Sequence, residues 1–436
     1  MSIPARITAP IVCALLCAAA LVAFLWWQLT QSTEILRRAT TETVETPVIP
    51  QTTTAVSAAV DPRDQALFHL RQGDLLALRG QWAEAQEEYE KAVDANGGLP
   101  ALRKLAQAQL QRRDMNGVHS TLRQLKKAGA KTEDLLLLES IVALRTGELL
   151  ETRRLLQNAE DSPQKHYGLA LLSIIEGNHE QAQIELQEVI NGWEPVLRSN
   201  ARTIMAAYQE FALFEESLNI HLITLLARAL AQVQECELAL PLLVQVTQAK
   251  DDYRDAWIVQ GFCELTTERP EQALSSLEQA YNLDPQKPEI QYFLARSYAA
   301  LNDHKNAMTF FEYALQNGFQ PQSEVRRQLA NSALQSGNAD LALQQYDALT
   351  KYPESTIEPY EGYVTASIAL GRAGEAYFMA QEAVKRWPED AISHDLLGWA
   401  ALESGRKDEA AQALTKALDI NPYLTSAKER MKQLLR

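Results

Sequence analysis

Residues 257–285 read WIVQGFCELTTERPEQALSSLEQAYNLDP, with small side chains at Gly261, Ala273 and Ala280. The same spacing returns toward the end of the chain at offsets of about thirty-four residues, a period typical of repeats that each contain two helices. The equivalent positions hold Leu294/Ala295, Leu329/Ala330, Leu397/Gly398, Ala307, Ala342, Ala410, Ala314, Leu349 and Ala417. An array of such units predicts an interaction surface rather than a reaction centre.

The composition indicates a folded protein that consists almost entirely of helices. The chain has 436 residues, of which 46% are hydrophobic and 22% are charged. Ala, Leu, Gln and Glu are frequent, whereas the β-branched and aromatic runs typical of strands are scarce. Because each unit of a repeat array packs only on its neighbours, the length of the chain does not require one large core. We therefore expect an all-α fold.

The charge balance argues against nucleic acid as a partner. The net charge is -15, and the charges of the first sixty residues cancel, so the acidic excess lies on the repeats. An acidic surface repels phosphate backbones. A basic cluster occurs only in the final segment, at Lys428, Arg430, Lys432 and Arg436, where positive charge is favourable near a helix C-terminus.

The repeated positions resemble those of the tetratricopeptide repeat family over residues 66–436. In the first unit, the residues that match the family pattern are Gly73, Gly80, Trp82, Ala85, Tyr89 and Ala92. The next two units are degenerate, with Val118 and Thr152 in place of the expected alanine. The resemblance implies an α-solenoid, a right-handed superhelix of helix pairs whose concave groove binds protein or peptide partners.

The register of the repeats divides the chain into blocks. The column of small residues steps from Ala170 to Ala227, which is more than one period and less than two. We therefore expect an irregular helical insert or hinge between two superhelical blocks. The predicted segments are a partly degenerate N-terminal block over 63–195, the insert over 196–226, a C-terminal block over 227–422 and a capping helix over 423–436.

The N-terminal segment has the length and apolarity of a membrane helix. Residues 7–29 contain no charged side chain, and at about 1.5 Å per residue they span roughly 34 Å, enough for a bilayer core. Trp26 and Trp27 lie at one end, where interfacial aromatics are expected. A cleaved signal peptide is the alternative, but the apolar run is longer than usual and no small-residue cleavage site follows closely. We predict a short tail over 1–6 and a transmembrane helix over 7–29.

Residues 30–62 are rich in threonine and proline and show no sustained periodicity, so they predict a flexible linker. A flexible segment of this length reaches roughly 30 Å. Arg6 on one side of the apolar run is balanced by Arg37 and Arg38 on the other, so the positive-inside rule does not choose an orientation. The short tail and the threonine-rich linker favour a repeat domain outside the cytoplasm.

The resemblance also implies that the first helix of each unit lines the concave groove. On the family pattern, the candidate partner-binding residues are Phe262, Tyr292, Arg296, Arg327, Asn331 and Trp399, with Ile258, Glu361, Thr365 and Asp395 on the same face. The three aromatic residues are expected to be exposed anchors. The arginines and the asparagine are expected to grip an acidic side chain or a chain-terminal carboxylate.

Part of this pattern is similar to that of family members that bind the C-termini of chaperones. Arg327 and Asn331 fall where those proteins carry a basic residue and an asparagine. Gly362, Ile392 and Leu396 occupy the remaining clamp positions, so the clamp is incomplete and the sequence does not favour a chaperone tail as the ligand.

The sequence shows no pattern that predicts chemistry. The seven histidines are scattered, without the spacing of a metal site, and there is no phosphate-binding loop and no nucleophile elbow. Cys236 and Cys263 fall at positions expected in the core. We predict no catalytic residue, no cofactor and no metal.

Two functional hypotheses follow. The first is a single-pass membrane protein whose repeats scaffold a protein assembly of the cell envelope, since similar anchored arrays occur in pilus biogenesis, secretion, outer-layer assembly and cytochrome maturation in bacteria. The second is a non-catalytic accessory subunit of an enzyme complex, associated with glycan or cell wall. The sequence does not identify the partner or the oligomeric state.

Overall fold

The computed structural model describes residues 62–78, 80–213, 218–353 and 356–435. The predicted tail (1–6), the membrane helix (7–29) and all but the last residue of the linker (30–62) lie outside these residues and stay predictions. Of the helices that are described, none combines the length and the apolarity that a membrane crossing requires.

Regular secondary structure in the described ranges is helical throughout, so the all-α prediction is confirmed there. The helices are α1 (Pro62–Leu78), α2 (Trp82–Asp94), α3 (Gly98–Gln111), α4 (Met115–Lys127), α5 (Thr132–Arg145), α6 (Leu149–Asn158), α7 (Pro163–Ile175), α8 (His179–Asn191), α9 (Pro195–Ala212), α10 (Asn219–Gln232), α11 (Cys236–Ala249), α12 (Arg254–Thr266), α13 (Pro270–Leu283), α14 (Pro288–Ala300), α15 (His304–Gln316), α16 (Gln322–Gln335), α17 (Ala339–Thr350), α18 (Glu358–Ala369), α19 (Ala373–Arg386), α20 (Ala391–Glu403), α21 (Lys407–Ile420) and α22 (Thr425–Leu434).

These helices pack in sequential pairs. The described ranges contain the pairs α1/α2, α3/α4, α5/α6 and α7/α8, and then every pair from α10/α11 to α20/α21, with α9 and α22 outside the pairing. Contacts between helices that are two apart in the chain run mainly between the first helices of consecutive pairs, such as α10 with α12 and α12 with α14. First helices therefore approach one another more closely, and they line what we call the inner face.

The recurring small residues are explained by the approach of the two helices of a pair. A Cβ atom placed on Gly261 would lie 2.4 Å from Cγ of Leu277, and one on Gly73 would lie 2.5 Å from Cε1 of Tyr89. Gly398 has the same relation to Leu414. A large side chain of the second helix fills the space that the glycine leaves, so the sequence period and the packing have one cause.

The segment predicted as an irregular insert, 196–226, contains the long helix α9 and the beginning of α10. α9 has 18 residues, buries Ala201, Ile204, Ala207 and Tyr208, and contacts both α8 and α10 without a second helix of its own. Residues 61–436 form one compact unit. The role of 196–226 as a hinge between blocks stays a prediction.

Packing differs along the array. The contacts between α4 and α5 and between α6 and α7 are far sparser than those between later pairs, in the region where the repeat pattern is degenerate. In contrast, one continuous buried core extends from Leu144 to Cys263, through α9. The weakly joined pairs thus lie next to the best-buried part of the molecule.

Candidate binding grooves on the inner face

A groove of about 570 Å³ opens on the inner face along α10, α12 and α14, and we call it the central groove. Its floor is apolar and includes Ile258, Phe262 and Phe293. The rings of Phe262 and Phe293 meet edge to face, with 5.4 Å between their centroids. Phe262 is half-buried, so part of the ring is available to a ligand. Of the residues predicted for the groove, Phe262 and Ile258 lie in this floor.

The rim of the central groove carries charges of both signs. Arg228 pairs with Glu210 at 2.5 Å, and the hydroxyl of Tyr253 lies 2.8 Å from Nδ1 of His221. Further charged residues on the rim are Asp255, Lys287 and Glu289. The site thus combines an aromatic floor with polar edges, an arrangement that can hold an apolar side chain of a partner and orient the groups beside it.

Tyr292 does not line the groove as an exposed anchor, so this part of the prediction was wrong. Tyr292 is only 6% exposed, and its ring stacks on that of Phe319 with 4.3 Å between the ring centroids. The hydroxyl donates to Oε1 of Glu324 at 3.2 Å, and burial raises the pKa of Tyr292 to about 12. Phe319 lies in the turn after α15 and covers the position, which the helical register alone does not reveal.

The two arginines of the predicted cationic cluster have different surroundings, and only Arg327 is paired with carboxylates. Arg296 is half-buried, with its guanidinium 5.8 Å from the centroid of the Tyr292 ring. Arg327 pairs with Glu324 at 2.7 Å and with Glu358 at 3.3 Å. Glu324 also accepts from Tyr292, so these contacts form a continuous network that joins α14, α16 and α18. Arg327 therefore does not present a free positive charge to an incoming carboxylate.

Asn331 and Trp399 are each engaged within the chain. Asn331 is exposed, and its Oδ1 accepts a hydrogen bond from the hydroxyl of Tyr346 at 2.6 Å. Trp399 is half-buried beneath the last helix, α22, because Arg430 covers its ring. The expectation that Trp399 is an exposed anchor was wrong, because the capping helix lies on that part of the inner face.

The inner face near α22 is acidic. Asp395 is 3% exposed, accepts from the hydroxyl of Ser426 at 2.6 Å and pairs with Arg430. Burial raises the pKa of the neighbouring Glu361 carboxyl. Arg430 of the basic cluster is thus the specific partner of the buried Asp395 carboxylate. The favourable effect of positive charge at a helix C-terminus does not by itself account for this cluster.

A second cavity of about 500 Å³, which we call the N-terminal chamber, lies on the inner face of the first half of the array. Its walls come from α3, α5, α7 and α9, and the turn between α10 and α11 closes one side. The apolar side chains that line it include Ile141, which is 40% exposed, and Val196, which is 65% exposed. Uncharged amides also line it, at Gln107, Gln111, Gln164, Asn200 and Gln232.

Tyr167 supplies a polar group inside the N-terminal chamber. The residue is 8% exposed, and its hydroxyl has no hydrogen-bond partner in the described structure. The amide of Asn200 lies close enough to act on this hydroxyl, although no hydrogen bond of normal geometry joins the two groups. Burial raises the pKa of this hydroxyl, and Glu235 raises it further. No residue of this chamber was among the predicted groove residues, because the degenerate units hide the register of α3 and α5.

The described residues contain no group of three or more His, Cys, Asp and Glu side chains arranged to hold a metal ion. Cys236 and Cys263 are buried free thiols, in the core position expected for them. The absence of catalysis stays a prediction.

Two family models of tetratricopeptide repeats match the chain, one over residues 264–322 and the other over residues 365–424. A peroxisomal targeting signal receptor from Kluyveromyces lactis is 25% identical over 205 residues, which are 45% of this chain and 35% of the receptor. The chain thus spans about a third of the length of that relative.

Solved structures of repeat proteins are also similar to the chain. YrrB, described as a TPR protein with an unusual peptide-binding site, is 19% identical with a TM-score of 0.39, over 44% of this chain and 97% of YrrB. PilW, a type IV pilus biogenesis factor, is 18% identical with a TM-score of 0.39, over 50% of this chain and all of PilW (100%). At these TM-scores, neither structure specifies which residues correspond.

Proposed function

Because the chain is a tetratricopeptide repeat protein, we propose that it is a non-catalytic scaffold that binds protein partners in the central groove. The observation that carries this proposal is the half-buried aromatic floor at Phe262, within a groove of about 570 Å³ on the inner face. Half-buried aromatic residues in such a groove are typical anchors of protein interfaces. The relative named as a targeting signal receptor is consistent with recognition of a protein segment.

The chemistry of the groove defines the kind of segment that fits. An apolar or aromatic side chain of the partner packs on Ile258, Phe262 and Phe293, while the charged rim contacts polar groups on both sides of it. The rim carries Glu210, Asp255 and Glu289 beside Arg228 and Lys287, so it favours a segment of mixed charge. Specificity then comes from the rim and most of the affinity from the floor.

The proposal extends to a membrane anchor, which rests on the sequence of residues 7–29. An anchor followed by a flexible linker keeps the repeats near the bilayer and raises the local concentration of partners there. In this proposal the repeats lie outside the cytoplasm and serve an assembly of the cell envelope, of the pilus, secretion or envelope-biogenesis type. Recognition of glycan or cell wall by an accessory subunit remains the alternative.

The groove is tested by capture of partners with the full chain in mild detergent. Phe262→Ala removes the floor and is expected to weaken capture by roughly tenfold or more. Phe378→Ala is the matched control, because Phe378 is 61% exposed on α19, a second helix away from the inner face. Equal capture by both variants and the unaltered chain would refute the central groove as the binding site. Retention of the chain on isolated wall polymer, unaffected by Phe262→Ala, would support the alternative.

The anchor and its orientation are tested separately. Deletion of residues 7–29 is expected to move the protein from the membrane fraction to the soluble fraction. A reporter that is active only outside the cytoplasm, fused after Arg436, is expected to be active. A membrane fraction that keeps the deleted chain, or an inactive reporter, would contradict this part of the proposal without affecting the groove.

A further inference from the structure

The turn between α10 and α11 contacts the end of α5 and the turn that follows α3, which precede it by about a hundred residues. The Nε and Nη2 atoms of Arg145 lie 3.0 Å from the two carboxylate oxygens of Glu235, so the ion pair is bidentate. Nη1 of the same guanidinium donates to the carbonyl of Leu110 at 3.1 Å. Stacking of neighbouring pairs does not require this contact, because it bypasses the four helices from α6 to α9.

A second arginine joins the same contact. Arg113, in the turn between α3 and α4, pairs with Glu237 and donates to the carbonyl of Gln234 at 3.1 Å. The side chains of the two ion pairs, Arg113 with Glu237 and Arg145 with Glu235, are only 12–16% exposed. All the charges of the contact are thus compensated within it.

The backbone at both ends of the contact is also unusual for these residue types. Arg113 has a φ of 61° and Gln234 a φ of 67°, in the left-handed region that favours glycine. The corresponding turns of six other pairs carry glycine with positive φ, at Gly80, Gly147, Gly177, Gly337, Gly371 and Gly405. Glu268 and Asn302 adopt a φ of 60° in two further turns of this kind, so the turn itself accommodates a side chain and the contacts of Arg113 are additional interactions.

We propose that Arg113, Arg145, Gln234, Glu235 and Glu237 form a latch that closes the inner face of the first half of the array into the N-terminal chamber. The closed latch divides the inner face into the partly enclosed N-terminal chamber and the open central groove. The wall at Ile141 is 40% exposed with the latch closed, whereas a partner segment reaches the buried hydroxyl of Tyr167 only when the latch opens. The latch itself does not depend on the proposed function, whereas its control of access rests on it.

Two features make opening feasible. Burial of paired charges costs desolvation energy that offsets much of their attraction, so such a pair fixes geometry more than it adds stability. The sparse contacts between α4 and α5 and between α6 and α7 allow these pairs to shift relative to their neighbours. Opening then moves weakly joined helices, including Leu144 at the start of the continuous core, and leaves the part of that core in α9 to α12 intact.

Hydrogen exchange of the full chain in detergent tests the latch without any ligand. Arg145→Glu places two carboxylates against each other and is expected to speed exchange in the α10–α11 turn by roughly a hundredfold, the effect of losing a buried ion pair. Glu235→Arg is expected to do the same. The double variant Arg145→Glu with Glu235→Arg restores opposite charges and is expected to bring exchange back toward that of the unaltered chain.

Two further variants keep the test decisive. Arg154→Glu is the control, because Arg154 is in an exposed pair within α6 and is expected to leave exchange in the α10–α11 turn unchanged. If Arg145→Glu does not fold, Glu237→Gln breaks the second pair without inverting a charge, and it is expected to speed exchange in the same turn. Unchanged exchange in the single variants, or a double variant as open as the single ones, would overturn the latch. Neither result bears on the central groove, which Phe262→Ala tests.

Discussion

The guanidinium of Arg430 lies over the indole ring of Trp399, with 4.3 Å between its central carbon and the ring centroid. The same guanidinium pairs with the buried carboxylate of Asp395. α22 is therefore held on the inner face by a cation–π contact and an ion pair as well as by apolar packing of Ala427. A helix that only shields the last repeat from water requires the apolar packing of Ala427 but neither the cation–π contact nor the ion pair.

Arg430→Ala is expected to lower the free energy of unfolding of the last three helices, α20–α22, by about 3 kcal/mol, because Asp395 stays buried and loses its counter-ion. Because each pair of a repeat array contacts only its neighbours, the loss is confined to α20–α22. Hydrogen exchange of residues 391–435 measures it. Lys428→Ala is the control, since Lys428 faces the ring of the 83% exposed Tyr423. Equal losses in both variants would contradict a specific role for Arg430.

Gly261→Ala is expected to destabilise the chain by about 1–3 kcal/mol, because the new methyl group meets the fully buried Leu277 within 2.4 Å. Gly374→Ala is the matched control, since a Cβ atom there meets nothing within 4 Å and the site is helical. The control is expected to gain up to about 1 kcal/mol from helix propensity. Chemical denaturation measures both, and a neutral Gly261→Ala would show that the pair relaxes without cost.

The sequence predicted the parts of the fold that come from local packing. The small side chains at Gly261 and Ala273 recur because paired helices approach closely at every unit, so their period specifies the pairs. Phe262 was placed on the inner face by the same register, and it lies in the central groove. These features depend on residues fewer than about forty positions apart, within one period of the repeat.

The features that the sequence did not predict depend on the directions of turns and on distant contacts. Phe319 covers Tyr292 from a turn whose path the helical period does not specify. Arg430 covers Trp399 from the last helix, and Arg145 meets Glu235 across ninety positions. No periodic signal connects such positions, so exposure on the inner face could not be inferred from register alone.

His166 and His179 of the pair α7/α8 are expected to titrate in opposite directions from the ordinary value of about 6.5. Burial lowers the pKa of His166, but hydrogen bonds and charges from Glu185, at 2.6 Å, and from Asp161 raise it by more, so the net shift is upward. Burial alone lowers the pKa of His179. Titration of the two rings by NMR measures both shifts, and a pair that titrates together would contradict the environments described.

The signs of these shifts set their effects on stability. The contribution of His166 is fully present below its unfolded pKa and is lost as pH rises through its folded pKa. His179 has the opposite effect, since the folded state binds its proton less well and stability falls below the unfolded pKa. His166→Gln is therefore expected to cost more stability at pH 5.5 than at pH 8, and His179→Gln to cost less at pH 5.5, in denaturation measured at both pH values. A cost of either variant that does not change with pH would contradict the assignment.

Tyr167→Phe is expected to leave the unfolding free energy unchanged or to raise it by up to about 1 kcal/mol, because it removes a buried hydroxyl that has no partner. Tyr89→Phe is the matched control. Its hydroxyl donates to Oδ1 of Asp74 at 2.8 Å, so the control is expected to lose about 1 kcal/mol. Denaturation of the two variants under the same conditions compares them directly. Equal destabilisation would mean that the Tyr167 hydroxyl is hydrogen-bonded in solution, and the N-terminal chamber would then not offer this buried hydroxyl to a partner segment.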